Sequence, residues 1–254
     1  GAGFNKPLVT LHNKVEGTLS YTNLLFVPDS RPFDLFQMDV KSKIKLYSNR
    51  VLISDDSEDI LPRWLRFVKG VVDTSDVDLN VSREMLQHNS ALNKISKALK
   101  KRVLNELKKM KDKDTEKYNT FWKEFGIVMK EGIYEDFDLK NEILEISKFH
   151  SMKLNKDVFL SEYSEEMNPE QKEIFYIASE SKEMAEGSPH LEVFKKKKLD
   201  VLFFTDPIDT FWLSMAGEFQ GKKFTSITKG DIDLSAFSDE KKKKEKKNNI
   251  VIDG

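Results

Sequence analysis

The stretch 73–87, DTSDVDLNVSREMLQ, holds the side chains of this sequence best suited to chemistry. A polar run leads into Asn80, Ser82 and Arg83, where a helical pattern begins. Asn80 or Ser82 can cap the free N–H groups of a first helical turn. Such a turn has open donors and the positive end of the helix dipole, so it attracts anions. Arg83 adds a full charge on a planar five-donor fork that matches phosphate oxygens. The residues alone allow two readings: an anion contact made by a protruding loop, or an ordinary capped helix with an exposed arginine.

Other reactive patterns are missing. There is no GxxxxGK phosphate loop, and Gly1 and Gly3 lack the third glycine of GxGxxG. Neither HExxH nor GxSxG occurs. With no cysteine there is no disulfide, no thiol nucleophile and no Cys-bound metal. His12, His88, His150 and His190 are scattered and read as structural or surface groups, so no metal site is expected. Carboxylates are abundant, but no pair separates from the solvated helical faces as an acid–base couple.

The composition bounds the partners. The 254 residues carry 42 Lys and Arg against 43 Asp and Glu, a net charge of -1, which argues against non-specific nucleic-acid binding. A hydrophobic share of 39% is too high for disorder along the whole length. No stretch approaches the ~18 uncharged apolar residues of a transmembrane helix. The ends, Gly1-Ala2-Gly3-Phe4 and the lysine block 241–247, read as an expression remnant and a solvated linker, and so as a piece of a longer protein.

The elements that must position the 73–87 stretch follow from periodicity. Residues 18–28 and 43–54 each read as one strand, with a turn-rich stretch between them. After Pro62, WLRFVKGVV is helix or strand; its period does not decide. The longest helical signal covers 82–110, with Ile95, Leu99, Val103, Leu107 and Met110 on one stripe. A turn is expected at 111–117, then helices near 118–132 and 139–149, with Tyr118, Phe121, Trp122 and Phe125 on a core-facing side. EIFYIAS (173–179) and LDVLFFTD (199–206) read as buried strands separated by a helical region. Asp206-Pro207 opens another helix as N-cap and first-turn proline, and 223–228 adds a strand. Strand, helix, strand, helix at this spacing predicts a βαβ unit with a parallel sheet. The fold class is therefore mixed α/β, with two units and a helical connector.

At this point the motifs carry a resemblance. LNVSREMLQ (79–87) resembles the catalytic loop of the heat-shock protein 90 chaperones. VEGTLSYTNLLFVP (15–28), RPFDLF (31–36), KLYSNRVLISDD (45–56), LPRWLRFVKGVVD (61–73) and SPHLEVFKKKKLDVLFFTDPID (188–209) are similar to further blocks of that family, in the same order. The resemblance runs from about residue 7 to about residue 236.

What it implies is specific. The family is a homodimeric, ATP-dependent chaperone of three domains, and this chain resembles the middle one. Two α-β-α sandwich units joined by a small helical coil are implied: 1–112 larger, 113–150 connector, 151–236 smaller, with 237–254 a charged linker toward an absent C-terminal domain. Arg83 matches the arginine that reaches the ATP γ-phosphate when the N-terminal domain docks, and Asn80 and Gln87 match polar residues that support its loop. ATP with Mg2+ is implied for the full-length protein and no cofactor for this fragment alone. The implied partners are the protein's own N-terminal and C-terminal domains, client proteins and co-chaperones, with no nucleic acid and no membrane. Two positions depart from the pattern: Asp78 stands where many members have Pro, and Leu52 where many cytosolic members have Phe in a contact with the docked N-terminal domain. Phe211 and Trp212 are candidates for client contact, since one of two adjacent helical residues can face outward. A binding module for clients or co-chaperones without a catalytic share is the alternative. LYSNRVLI, DILPRWLRF and the 116–133 run resemble the mitochondrial paralogue more than the cytosolic one, with bacterial members close, so an organellar location is expected.

Overall fold

The computed structural model describes residues 6–237, and Arg83 by its backbone only. Of the expected linker 237–254, residues 238–254 with the lysine block lie outside the described residues, as do Gly1–Phe4. The chain divides into two compact units, one through Gly132 and one from Ile133. That boundary lies inside the 113–150 stretch expected as a connector.

The first unit is built on a five-stranded sheet of order β1-β2-β5-β3-β4. Its strands are β1 (Val9–Val15), β2 (Tyr21–Val27), β3 (Lys43–Ser48), β4 (Val51–Ser54) and β5 (Lys69–Thr74). All pairs are antiparallel except β3–β5. β1 alternates buried and exposed residues, which places Val9 and Leu11 toward the core and Thr10 and His12 toward water. The expected single strand 43–54 is in fact a hairpin. Asn49 and Arg50 both take positive φ, 48° and 65°, as a two-residue turn between twisted strands requires. Asn is a known turn residue; Arg is not, so the alternating pattern hides the break. The undecided stretch after Pro62 resolves into a short helical turn, Arg63–Leu65, followed by β5. Within β5, Gly70 has φ +140°, and a Cβ there would lie 2.0 Å from the Leu24 carbonyl oxygen, so the close approach of β2 depends on glycine.

The predicted long helix is two. A single turn, α1 (Arg83–Leu86), is followed by α2 (Ser90–Lys113). Ile95, Leu99, Val103, Leu107 and Met110 are all buried, as the stripe predicts. The cap of the long helix is Asn89, whose side chain accepts the Leu92 N–H at 3.0 Å, so neither Asn80 nor Ser82 has that role. α3 (Thr115–Glu135) begins after the single residue Asp114. Its Phe121 and Phe125 pack on Phe67 with ring centroids 5.4 and 4.9 Å apart, while Trp122 is half-buried on Tyr118.

The second unit carries a six-stranded sheet of order β10-β11-β8-β9-β6-β7. Its elements are α4 (Lys140–Glu145), β6 (Lys148–Ser151), β7 (Lys156–Phe159), α5 (Leu160–Glu165), β8 (Glu173–Ala178), α6 (Lys182–Glu186), α7 (Leu191–Lys196), β9 (Leu202–Phe204), α8 (Pro207–Met215), β10 (Glu218–Phe219) and β11 (Lys222–Ser226). β8 runs parallel to both β9 and β11, the arrangement expected of a βαβ unit. Phe175, Ile177 and Phe203 pack with Ala185, Leu191 and Phe194 on one side of the sheet. On the other, Tyr176 stacks on Phe204, which meets Trp212 of α8. Helices thus cover both faces, which is why β9 reads as an unbroken apolar run. Tyr163 ties α5 to this sheet. Its hydroxyl donates to the Asp200 carbonyl and accepts the Phe175 N–H, and burial pushes its ionisation far above the ordinary range. Phe237, placed at sequence level in the linker, is buried in this core.

Candidate functional site

The 74–89 segment leaves the sheet at the end of β5 and returns at the start of α2. Its first half is bolted down. The Thr74 hydroxyl donates to the Ser20 carbonyl at 2.8 Å, and the Asp76 carboxylate accepts the Ser20 N–H at 2.8 Å. The Ser48 hydroxyl donates to the Val77 carbonyl at 2.5 Å, and Val77 is buried. Beyond that point the chain turns outward. The Asp78 carbonyl accepts the Val81 N–H, and Asp78, Leu79 and Asn80 are exposed. Ser82 stands at the N-cap of α1 without a side-chain bond to it. Arg83 opens that helix; its side chain lies outside the described residues. Leu86 is buried and re-anchors the chain, while Gln87 is exposed again. Val77 and Leu86 therefore bracket an exposed stretch that carries Asn80 and, by its backbone, Arg83, together with exposed Leu79 and Met85; Gln87 follows just beyond it.

This corrects one part of the anion reading. A single turn has little aligned dipole. The long helix starts at Ser90, seven positions beyond Arg83, so the attraction for an anion rests on the Arg83 charge.

Beside the segment lies a hollow of about 410 Å³. Gln87, Glu84 and Leu86 line it with Lys41, Asp56, Glu58 and Asp59. Burial, and then the neighbouring Glu58 charge, push the Asp59 carboxyl above its usual value. Leu52 sits on β4, the edge strand of the first sheet, half exposed beside exposed Val51. It is thus open to a partner, as an interdomain contact must be.

The Phe211–Trp212 pair separates cleanly. Trp212 is fully buried, and its indole N–H donates to the Asp209 carboxylate at 2.8 Å. Asp209 also takes part in the predicted cap, in a reciprocal box with Asp206. Trp212 therefore belongs to the core of its unit and cannot touch a client. Phe211 is 58% exposed, with its ring edge toward Tyr134.

A stronger apolar display was missed at sequence level. In RPFDLFQMDV (31–40), Phe33 is 95% exposed and Met38 94% exposed. Leu35 between them is buried. Few side chains of this size among the described residues are so fully exposed. The signal available in the sequence was a Pro-led, irregular stretch with apolar residues that follow no period. Among the described residues no group of three His, Asp or Glu side chains is placed to hold a metal ion. No helix there is long and apolar enough to cross a membrane.

With this geometry in hand, three comparisons converge. The family model described as Hsp90 protein matches residues 2–252. The chaperone protein HtpG of Wolbachia sp. subsp. Brugia malayi is 46% identical over 246 residues, 96% of this chain and 39% of that protein. HtpG of Roseobacter denitrificans is 47% identical over 94% of this chain and 38% of its own length. The chain thus spans under two fifths of these relatives. Among solved structures, the middle domain of a Plasmodium falciparum heat shock protein superposes with a TM-score of 0.77 at 33% identity, covering 89% of this chain and 90% of that one. The expected organellar location does not stand, because curated relatives at 44–47% identity are bacterial HtpG chaperones.

Proposed function

Because the chain belongs to the Hsp90 family, as its middle domain, we propose that it completes an ATPase site whose nucleotide pocket lies on another domain of the full-length protein. One observation carries this reading. Most of the LNVSREMLQ segment is exposed between two buried anchors, Val77 before it and Leu86 near its end, with Arg83 at the head of its helical turn. Such an arm suits a phosphate presented from outside, and the sequence has no phosphate cradle of its own.

In this proposal Arg83 contacts the γ-phosphate and offsets charge that builds up during phosphoryl transfer, as an arginine supplied from another domain does. Asn80 and Gln87 support the segment, and Leu52 contacts the docked N-terminal domain. ATP with Mg2+ supplies the phosphoryl group and is held elsewhere in the full-length protein. The C-terminal domain provides dimerisation, and co-chaperones are further proposed partners. The exposed Phe33, Met38 and Phe211 support a second role in binding non-native client proteins. That role stands alone if the chain makes no catalytic contribution.

The first role is tested by Arg83→Ala in the full-length protein. ATP turnover is expected to fall while ATP affinity holds; unchanged turnover removes Arg83 from the site.

A further inference from the structure

Segment 31–40 contains no strand or helix, yet its backbone is held at close intervals. Local turns account for part of this: Leu35 N–H reaches the Pro32 carbonyl at 3.2 Å and Gln37 N–H the Asp34 carbonyl at 3.0 Å. The rest comes from three arginines. At the entrance, Arg31 donates through Nε and Nη2 to the Glu124 and Lys123 carbonyls of α3, both at 3.1 Å. Arg63 donates to the Val40 carbonyl at 3.2 Å and the Gln37 carbonyl at 2.9 Å. Arg66 Nε donates to the Leu35 carbonyl at 2.7 Å.

Arg66 is itself fixed. Its Nη1 and Nη2 meet the Glu131 carboxylate at 2.5 and 2.9 Å, and Nη1 also reaches the Arg63 carbonyl at 3.1 Å. Its side chain is only 6% exposed. One guanidinium therefore joins α3, the Arg63 turn and the middle of the display segment.

We propose that Arg66, oriented by Glu131, is a positioning residue that fixes the Leu35 carbonyl so that Phe33 and Met38 stay presented to apolar segments of non-native chains. This rests on the client role proposed above. Water favours burial of both side chains, so a loose segment would fold them onto the nearest apolar surface. The guanidinium bonds hold the backbone against that collapse. Lysine cannot replace the arginine, because a point ammonium lacks the fork that grips Glu131 while Nε serves Leu35.

The test uses the full-length protein and a fluorescent, reduced and alkylated α-lactalbumin as a permanently unfolded client. Client affinity, amide exchange over residues 33–40 and the unfolding midpoint are measured together. Phe33→Ser with Met38→Ser should weaken the client at least about fivefold and leave the midpoint in place, since it removes only exposed groups. Glu131→Gln and Arg66→Gln should speed exchange over 33–40 at least about tenfold and weaken the client to a similar degree as the double serine variant. Arg66→Lys is the milder form should the glutamine variant not fold, and the same two shifts are expected, smaller. The charge swap, Arg66→Glu with Glu131→Arg, should recover the midpoint but neither exchange nor affinity, because the Leu35 carbonyl still lacks its donor. Full affinity in Arg66→Gln or Arg66→Lys, or affinity that returns with the midpoint in the swap, overturns the positioning role. Full affinity in the double serine variant overturns instead the client role of this segment.

Discussion

The first unit presents two irregular segments to solvent, and they are held in opposite ways. Segment 31–40 shows apolar side chains on a backbone gripped through its carbonyls by Arg63 and Arg66. Segment 78–89 shows mostly polar side chains, with Leu79 and Met85 among them, on a backbone that relies on Val77 just before it, on Leu86 within it and on its own turns. In the proposed client role, a surface that catches apolar chains must be kept from collapsing onto its own protein, which the brace does. In the proposed phosphate role, a segment that reaches another domain gains from being finished by that domain, which bracketing allows. Bracing before contact lowers the ordering cost of binding; bracketing defers that cost until docking.

The largest stability effects should come from the two buried leucines. Leu35→Ala and Leu86→Ala should each cost about 2–5 kcal/mol, the usual range for a buried leucine. Denaturant unfolding measures both. The comparison predicts a contrast behind the similar totals. Exchange in 31–40 should stay slow in Leu35→Ala, because the arginines still hold the backbone. Exchange in 78–89 should become fast in Leu86→Ala, because little else holds it. Equal loosening of both segments would erase the distinction.

A middle-sized effect is expected at the far edge of the second segment. Asn89→Ala removes the cap of α2 and should cost about 1 kcal/mol. Asn80→Ala should cost less than about 0.5 kcal/mol, since an exposed turn residue caps nothing there.

The smallest effect concerns pH. Lys43 Nζ donates to the Asp34 carboxylate at 3.0 Å, and this bond holds the carboxyl below its usual 3.8. A lowered folded value means the contact is fully present above the ordinary carboxylate range and is lost as pH falls through the folded value. Protection of 31–40 relative to the intrinsic exchange rate should therefore fall slightly on acidification from about pH 5 to about pH 3, and Lys43→Met should remove that dependence.

Much of this was legible in the sequence, for physical reasons. The α2 stripe is long and strictly spaced, so burial of Ile95 through Met110 followed directly. Asp206, Pro207 and Asp209 announced α8 because caps are short-range chemistry. The β3–β4 hairpin was hidden because Arg50 adopts a left-handed turn conformation that its residue type does not signal. The split between α1 and α2 was hidden because Met85 and Leu92 fall on the same helical face across the break. The 79–87 segment was singled out through the LNVSREMLQ resemblance. The arginine brace was not: Arg63 and Arg66 look like surface residues in LPRWLRF, and only partners 23 to 65 positions away give them their task.

With chemistry proposed for one segment and client capture for the other, a single protein can test that division. Full-length Arg83→Ala should lose at least about a hundredfold in ATP turnover, the scale of an arginine supplied from outside the nucleotide pocket. Its ATP affinity should hold, and its affinity for the unfolded client should change less than about threefold, since Phe33 and Met38 lie on the braced segment. Turnover that survives while client affinity collapses would contradict the division outright.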